Sequence, residues 1–200
     1  MPIEKPEPLS DLRALEDARE FRALAHPVRI ALLDTLTIDG PATATEAAER
    51  IGETPTTCSF HLRQLAKFGF VEEAGGGKGR ARPWRIAHHG VRADKVQADP
   101  EVAIAAEAAS RLLRSRELAR YQLWVDTQHS YPGAWREAAG ETDLLFWLTP
   151  DELRELTADV HRVLERRLDA RLTDPSQRPP EALPVEVLLL SYPVRPPRNT

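Results

Sequence analysis

The feature that most constrains this chain is a run of about a dozen residues, Thr43-Ala44-Thr45-Glu46 through Gly52-Glu53-Thr54-Pro55. A threonine followed three residues later by glutamate is a capping box. The hydroxyl accepts from the backbone N–H three residues on, and the carboxylate reaches back to the cap. This predicts a short helix over about 44–51, stopped by Gly52. Thr54 caps again, Pro55 sits at a first helical position, and a longer helix runs to about Phe68, where Gly69 ends it. Two helices joined by so short a turn form a helix-turn-helix.

The flanking sequence extends this unit. Prolines at 2, 6 and 8 make residues 1–9 an expected flexible arm. Between Ser10 and Ala25, Leu12, Leu15, Ala18, Phe21 and Leu24 recur every three residues, which predicts an amphipathic helix. His26-Pro27 restarts the chain into a second helix, about 27–37, with Val28, Ala31, Leu32 and Leu36 inward, before Asp39-Gly40-Pro41 ends it. Downstream, 70–74 and 80–87 read as strands around the glycine-rich tip at 75–79, a β-hairpin in which Pro83 belongs at an edge or bulge. Helix, turn, helix and hairpin in that order describe a winged helix, placed at 10–92.

A second region, 99–200, opens with the cap signal Asp99-Pro100. It predicts a helix of up to about 29 residues with Val102, Ala105, Ala109, Leu112 and Leu123 on one side, which needs a partner surface. Leu144–Leu148 reads as a short strand. A capping box at Thr149–Glu152 then starts a helix over 150–172 that buries Leu153, Leu156, Val160, Val163 and Leu164. A proline-rich loop leads to an apolar strand at 185–192, a candidate to pair with 144–148 in a small two-stranded sheet. The expected class is therefore mainly α with a little β (α+β): a winged helix-turn-helix followed by a helical region for dimerisation and for a candidate effector.

Charge supports a polyanion-facing surface. Between Pro55 and Arg92 lie seven cations (Arg63, Lys67, Lys78, Arg80, Arg82, Arg85 and Arg92) against Glu72 and Glu73. That window carries +5 and the remainder −9, although the whole chain is only −4. A basic island on an acidic body directs one face to nucleic acid. No apolar run approaches the roughly 20 residues of a membrane span, and the N-terminus lacks a signal-peptide core, so no membrane partner is expected and the cytoplasm is the default. A single cysteine, Cys58, excludes an internal disulfide and a Cys-rich metal site.

Setting successive residues of the 55–68 helix 100° apart places Cys58, Leu62 and Leu65 within about 40° of one another on the inner side. Thr56, Ser59, Phe60, Arg63 and Lys67 face outward, with Thr57 and Gln64 on a flank. That set suits a major groove: Arg63 to guanine, Gln64 to adenine, hydroxyls to phosphates or base edges. Phe60 needs a thymine methyl or a protein surface, since an exposed phenyl is otherwise a cost to solubility. Lys78 and Arg80 at the hairpin tip, with Arg82 behind them, are placed to grip phosphates or enter a minor groove.

Residues Leu24-Ala25-His26-Pro27-Val28-Arg29-Ile30-Ala31-Leu32-Leu33 and the stretch Gly52 to Leu65 resemble the opening motif and recognition helix of ArsR-type winged-helix repressors. The resemblance covers roughly 20–90. It implies a dimer that represses transcription and releases double-stranded DNA when an effector binds. Metal-sensing members of that family carry a Cys-x-Cys pair where this chain has Thr43 and Thr45, and hydroxyls do not replace thiolates for a soft metal. Asp159-x-His161 resembles another metal pattern of the family, but Arg171 stands where its second histidine belongs. Adjacent His88 and His89 would point to opposite faces of a strand. Neither a metal nor another cofactor is expected.

Other readings attach to particular residues. Cys58 on an inner helix face reads as a small buried hydrophobe before it reads as a redox switch. Tyr121, Trp124, Trp135 and Trp147 are candidates for a pocket holding a small apolar effector, or else fill a core or dimer seam. No Ser/His/Asp grouping, phosphate loop or dinucleotide fingerprint suggests an enzyme. A winged helix used for protein contacts alone, without DNA readout, is the alternative to a DNA-binding regulator.

Overall fold

The computed structural model describes residues 12–75, 82–88, 90–93, 97–167, 171 and 174–196. The predicted helix-turn-helix is present. Helix α3 (Ala44–Ile51) begins at Thr43, whose hydroxyl accepts from the Glu46 N–H, while the Glu46 carboxylate accepts from the Thr43 N–H at 2.7 Å. Gly52 ends it with φ 73° and ψ 28°, a left-handed conformation that glycine adopts without a Cβ penalty. Helix α4 (Pro55–Lys67) follows, its first turn capped by the Thr54 hydroxyl, which accepts from the Thr57 N–H at 3.1 Å.

These helices pack on α2 (Pro27–Ile38), and α1 (Ala18–Leu24) lies across the long α5 (Pro100–Thr127). Leu32, Leu36, Cys58, Leu62, Leu65 and Val71 are fully buried at the centre of one core, which Phe21, Leu24, Ala47, Ala48, Ala105 and Ala109 complete. Buried Ala105, Ala106 and Ala109 of α5 let its backbone approach α1 closely. On α2, Leu32 and Leu36 are buried as expected, and Val28 and Ala31 are half-buried.

The wing is a hairpin of β2 (Val71–Glu73) and β3 (Trp84–Ile86), antiparallel with Val71 opposite Ile86 and Glu72 opposite Arg85. Its strands are shorter than 70–74 and 80–87, and 76–81 lie outside the described residues. Pro83 stands just before β3, its carbonyl accepting from the Ala74 N–H at 2.8 Å, so its missing donor removes no ladder bond. Ala42 and Trp84 exchange backbone bonds of 3.0 and 2.8 Å, tying the wing to the entry of α3.

The N-terminal helix over 10–25 is corrected. Residues Leu12–Leu15 form a strand, β1, parallel to β4 (Gly90–Ala93), which the sequence did not announce. Asp17 then caps α1 in a capping box with Glu20, so the helix cannot begin earlier. The inward set survives because Leu15, Ala18, Phe21 and Leu24 are all buried, Leu15 from a strand rather than a helix.

Helix α5 matches expectation in length, and Ala105 and Ala109 are buried with Val102 and Leu112 half-buried, but Leu123 is exposed. A short helix, α6 (Gly133–Ala138), was not anticipated. The strands expected at 144–148 and 185–192 are not formed; both segments lie outside any helix or strand, carry no ladder and lie exposed. Helix α7 spans Pro150–Glu165, ending before 172. None of Leu153, Leu156, Val160, Val163 and Leu164 is buried, because no other helix or strand of the described chain packs extensively on α7. The two-stranded sheets of this fold thus belong to the winged-helix half. No helix among the described residues is long and apolar enough to cross a membrane.

Candidate nucleic-acid interface

Helix α4 presents its two faces as the helical wheel requires. Cys58, Leu62 and Leu65 are fully buried, and burial raises the Cys58 thiol above its ordinary pKa, so it carries little of the reactive thiolate at neutral pH. Thr56, Phe60, Arg63 and Lys67 are exposed, with Thr57, Ser59 and Gln64 half-buried beside them. Phe60 is 54% exposed, its one ring contact an edge-on approach to His61 at 5.1 Å between centroids. The Arg63 guanidinium folds back along its own helix, donating to the Ser59 carbonyl at 3.1 Å and the Ser59 Oγ at 2.9 Å. Neither bond holds it in a buried place, so the fork is free to swing outward. The Lys67 ammonium sits 5.8 Å from the Phe68 ring centre. Among the described residues, neither cation has a carboxylate partner.

The wing is electrostatically quieter than its sequence suggested. Arg82 pairs with Glu73 at 2.7 Å and Arg85 with Glu72 at 2.6 Å across the hairpin. Cross-strand pairing thereby uses both acidic residues of the island on two of its arginines. These pairs are exposed, so water and salt screen them and a phosphate competes readily for either arginine. Lys78 and Arg80 lie outside the described residues.

One feature close behind the outward face went unrecognised in the sequence. His61 is buried at 8% exposure, and its ring lies 4.4 Å from that of His26. The His26 Nδ1 accepts from the Val28 N–H at 3.2 Å, capping α2, and His61 Nδ1 has no hydrogen-bond partner among the described residues. Desolvation lowers both imidazole pKa values, with Arg29 adding to the effect and Glu53 opposing it. The signal was available: His61 follows Cys58 by three residues and precedes Leu65 by four, which is the spacing of the inner face.

The aromatic candidates of the second half are partly assembled. Trp124 meets Tyr131 edge-on at 4.9 Å, and the Glu141 carboxylate near the Tyr121 hydroxyl raises the pKa of that phenol. Trp135 is half-buried, whereas Trp147 is 96% exposed and so stands apart from the others within one chain. Among the described residues no group of three or more His, Cys, Asp or Glu is arranged to hold a metal ion. Thr43 is engaged as a helix cap, with its hydroxyl 2.8 Å from Glu46.

Comparison with known proteins agrees with this geometry. Residues 24–74 match the family model described as a helix-turn-helix domain. No curated protein matches the sequence. Among solved structures, the homodimeric winged helix-turn-helix DNA-binding domain of Mb0332 from Mycobacterium bovis, a possible ArsR-family transcriptional regulator, is 27% identical over 55% of this chain and 78% of its own, with a TM-score of 0.31. Rv0081 of M. tuberculosis is 25% identical over 52% of this chain and 91% of its own, with a TM-score of 0.32. Reduced HlyU from Vibrio cholerae is 19% identical over 47% and 84%, with a TM-score of 0.30. Scores this low give no weight to a whole-chain likeness; the domain match and the chain's own elements carry the assignment. Residues 24–74 match the helix-turn-helix domain model, and the hairpin of β2 and β3 that closes this unit gives it the winged helix-turn-helix fold.

Proposed function

We propose that the protein is a sequence-specific DNA-binding transcription regulator, a dimeric repressor that reads the major groove with α4 and grips phosphates or the minor groove with the wing at 75–80. The observation that carries this reading is the outward face of α4. Thr56, Phe60, Arg63 and Lys67 are exposed together on a helix whose opposite face is locked into the core. A rigid helix with a free polar face is what a major groove accepts. Thr57, Ser59 and Gln64 flank that face, and Lys78, Arg80 and Arg82 supply the backbone contacts. Residues 10–92 are the DNA-binding unit, and 99–200 hold the dimer together through α5. Two-fold pairing would set two recognition helices roughly 34 Å apart along the duplex. The cytoplasm is the compartment this function requires, and a small apolar effector near Tyr121, Trp124 and Trp135 would give release from DNA.

Selection of operator sequences from a random duplex pool, followed by titration of the selected site, tests the reading. Arg63→Ala is expected to weaken binding by about 1–3 kcal/mol and to relax preference at one position. Lys78→Ala is expected to weaken binding on all sequences and to lower the salt slope by about one. Failure to enrich any sequence, with binding that ignores salt, would instead favour a protein-contact module, the reading to which the exposed Phe60 lends itself.

A further inference from the structure

The carboxyl-terminal half leaves an unusual amount of apolar surface in water. Leu144, Leu145, Phe146, Trp147 and Leu148 are five consecutive exposed hydrophobics, and Val185, Val187, Leu188, Leu189, Leu190 and Tyr192 are exposed as well. With Ile104, Leu118 and Leu123 on α5 and Val163 on α7, these make fifteen large hydrophobics left exposed. A monomer's largest patch is typically a few hundred Å², and obligate dimers bury interfaces of about 2,000 Å² or more. Neither 144–148 nor 187–192 contains a charged residue.

The backbone shows the same incompleteness. Both segments are apolar and β-prone in sequence and lie outside any helix, yet neither has a ladder partner among the described residues. Rows of unpaired N–H and C=O groups beside exposed apolar side chains form an edge ready for another strand. The return segment is meanwhile anchored to its own chain. Pro175 packs against Gly40, at a spot where a Cβ would come within 2.5 Å of its Cγ. Arg178 donates to the Ile38 carbonyl at 2.5 Å, and Glu186 lies 3.1 Å from Arg120 and 3.7 Å from Arg116. Those two arginines pair in turn with Asp34 of α2 at 2.8 and 2.6 Å. Glu186 is thus held to its own α5, while its neighbours Val185, Val187 and Leu189 stay exposed.

We infer that segments 144–148 and 185–190, together with the apolar stripe of α7, dock on a second copy of this chain, so that 144–148 of one copy joins a sheet with 185–190 of the other. This rests on the dimer reading above and adds to α5 the elements that complete the interface. A second copy fits better than another partner for three reasons. The two segments carry no charge but Glu186, which is paired within its own chain; they leave more large apolar side chains in water than a monomer tolerates; and 185–190 adjoins α5 through that pair. It also holds both halves of a self-complementary pair, as a two-fold interface requires.

Sedimentation velocity and hydrogen exchange on the full chain test this. Trp147→Asp and Leu189→Asp are each expected to raise the dimer dissociation constant about 100-fold, the effect of losing an interface hot spot, with the helical circular dichroism unchanged. Val187→Ser serves where the aspartates prevent folding and is expected to raise it about tenfold. Amides of 144–148 and 185–190 should be protected at concentrations where the dimer forms and exchange fast on dilution. A wild-type dimer whose dissociation constant is indifferent to all three substitutions would overturn the inference while leaving the α5 dimer standing, as would protection that persists in the monomer. A wild-type chain sedimenting at 22.4 kDa at tens of micromolar would overturn both.

Discussion

The imidazole pair on the inner side of the recognition helix, His61 buried and His26 half-buried, makes stability depend on pH in a calculable direction. His26 and His61 sit with ring centres 4.4 Å apart, and desolvation, with Arg29 alongside, lowers both pKa values below the ordinary 6.5. In the unfolded chain each ring titrates near that ordinary value, so between it and the lower folded value the unfolded state binds more protons. Stability is therefore fully present above about pH 6.5 and is lost as pH falls through the folded values, at up to about 1.4 kcal/mol per pH unit for each ring. The structural event is specific. A protonated His26 Nδ1 no longer accepts from the Val28 N–H, so α2 loses its cap while two like charges meet beside Arg29. Urea unfolding of the wild type and of His61→Gln, measured between about pH 7.5 and about pH 5.5, isolates the pair, since carboxylates such as Asp34 and Glu117 titrate alike in both proteins. The wild type should lose more stability than the variant over that range, by up to about 1.4 kcal/mol. Parallel stability profiles would refute the reasoning and show the rings to be accessible to water when folded.

Three further outcomes follow from the geometry. Leu62→Ala empties a fully buried position between α4 and its neighbours and should cost about 2–5 kcal/mol by chemical denaturation. Gly52→Ala adds a Cβ that meets nothing within 4 Å, so only the left-handed backbone at φ 73° is penalised; the expected loss is about 1 kcal/mol with the DNA-binding face intact. Gly40→Ala meets both a positive φ of 88° and the Pro175 ring, so it should cost more than Gly52→Ala and speed proteolysis near residues 174–178.

The contrast between the two halves of the chain has a physical origin. Residues 43–55 were legible because every signal there is local. A capping box, a left-handed glycine and a second cap with proline act within one or two turns, and no distant contact has to be known. The outward and inward faces of α4 followed from helical geometry alone, apart from His61, which was passed over because a histidine is not weighed as a core residue. The N-terminal strand failed for the opposite reason. Leu12, Leu15, Ala18, Phe21 and Leu24 keep a helical spacing, but β1 is fixed by β4, nearly eighty residues away, and the Asp17 cap decides where α1 starts. Similarly, Thr149 and Glu152 announced the start of α7 correctly, whereas its burial did not follow, because an apolar stripe states only that a surface must be covered. It does not state which chain covers it. The apolar runs at 144–148 and 185–192 carry the same message. Their composition favours a sheet, the described residues close none there, and the inferred second copy would bring the complementary edge.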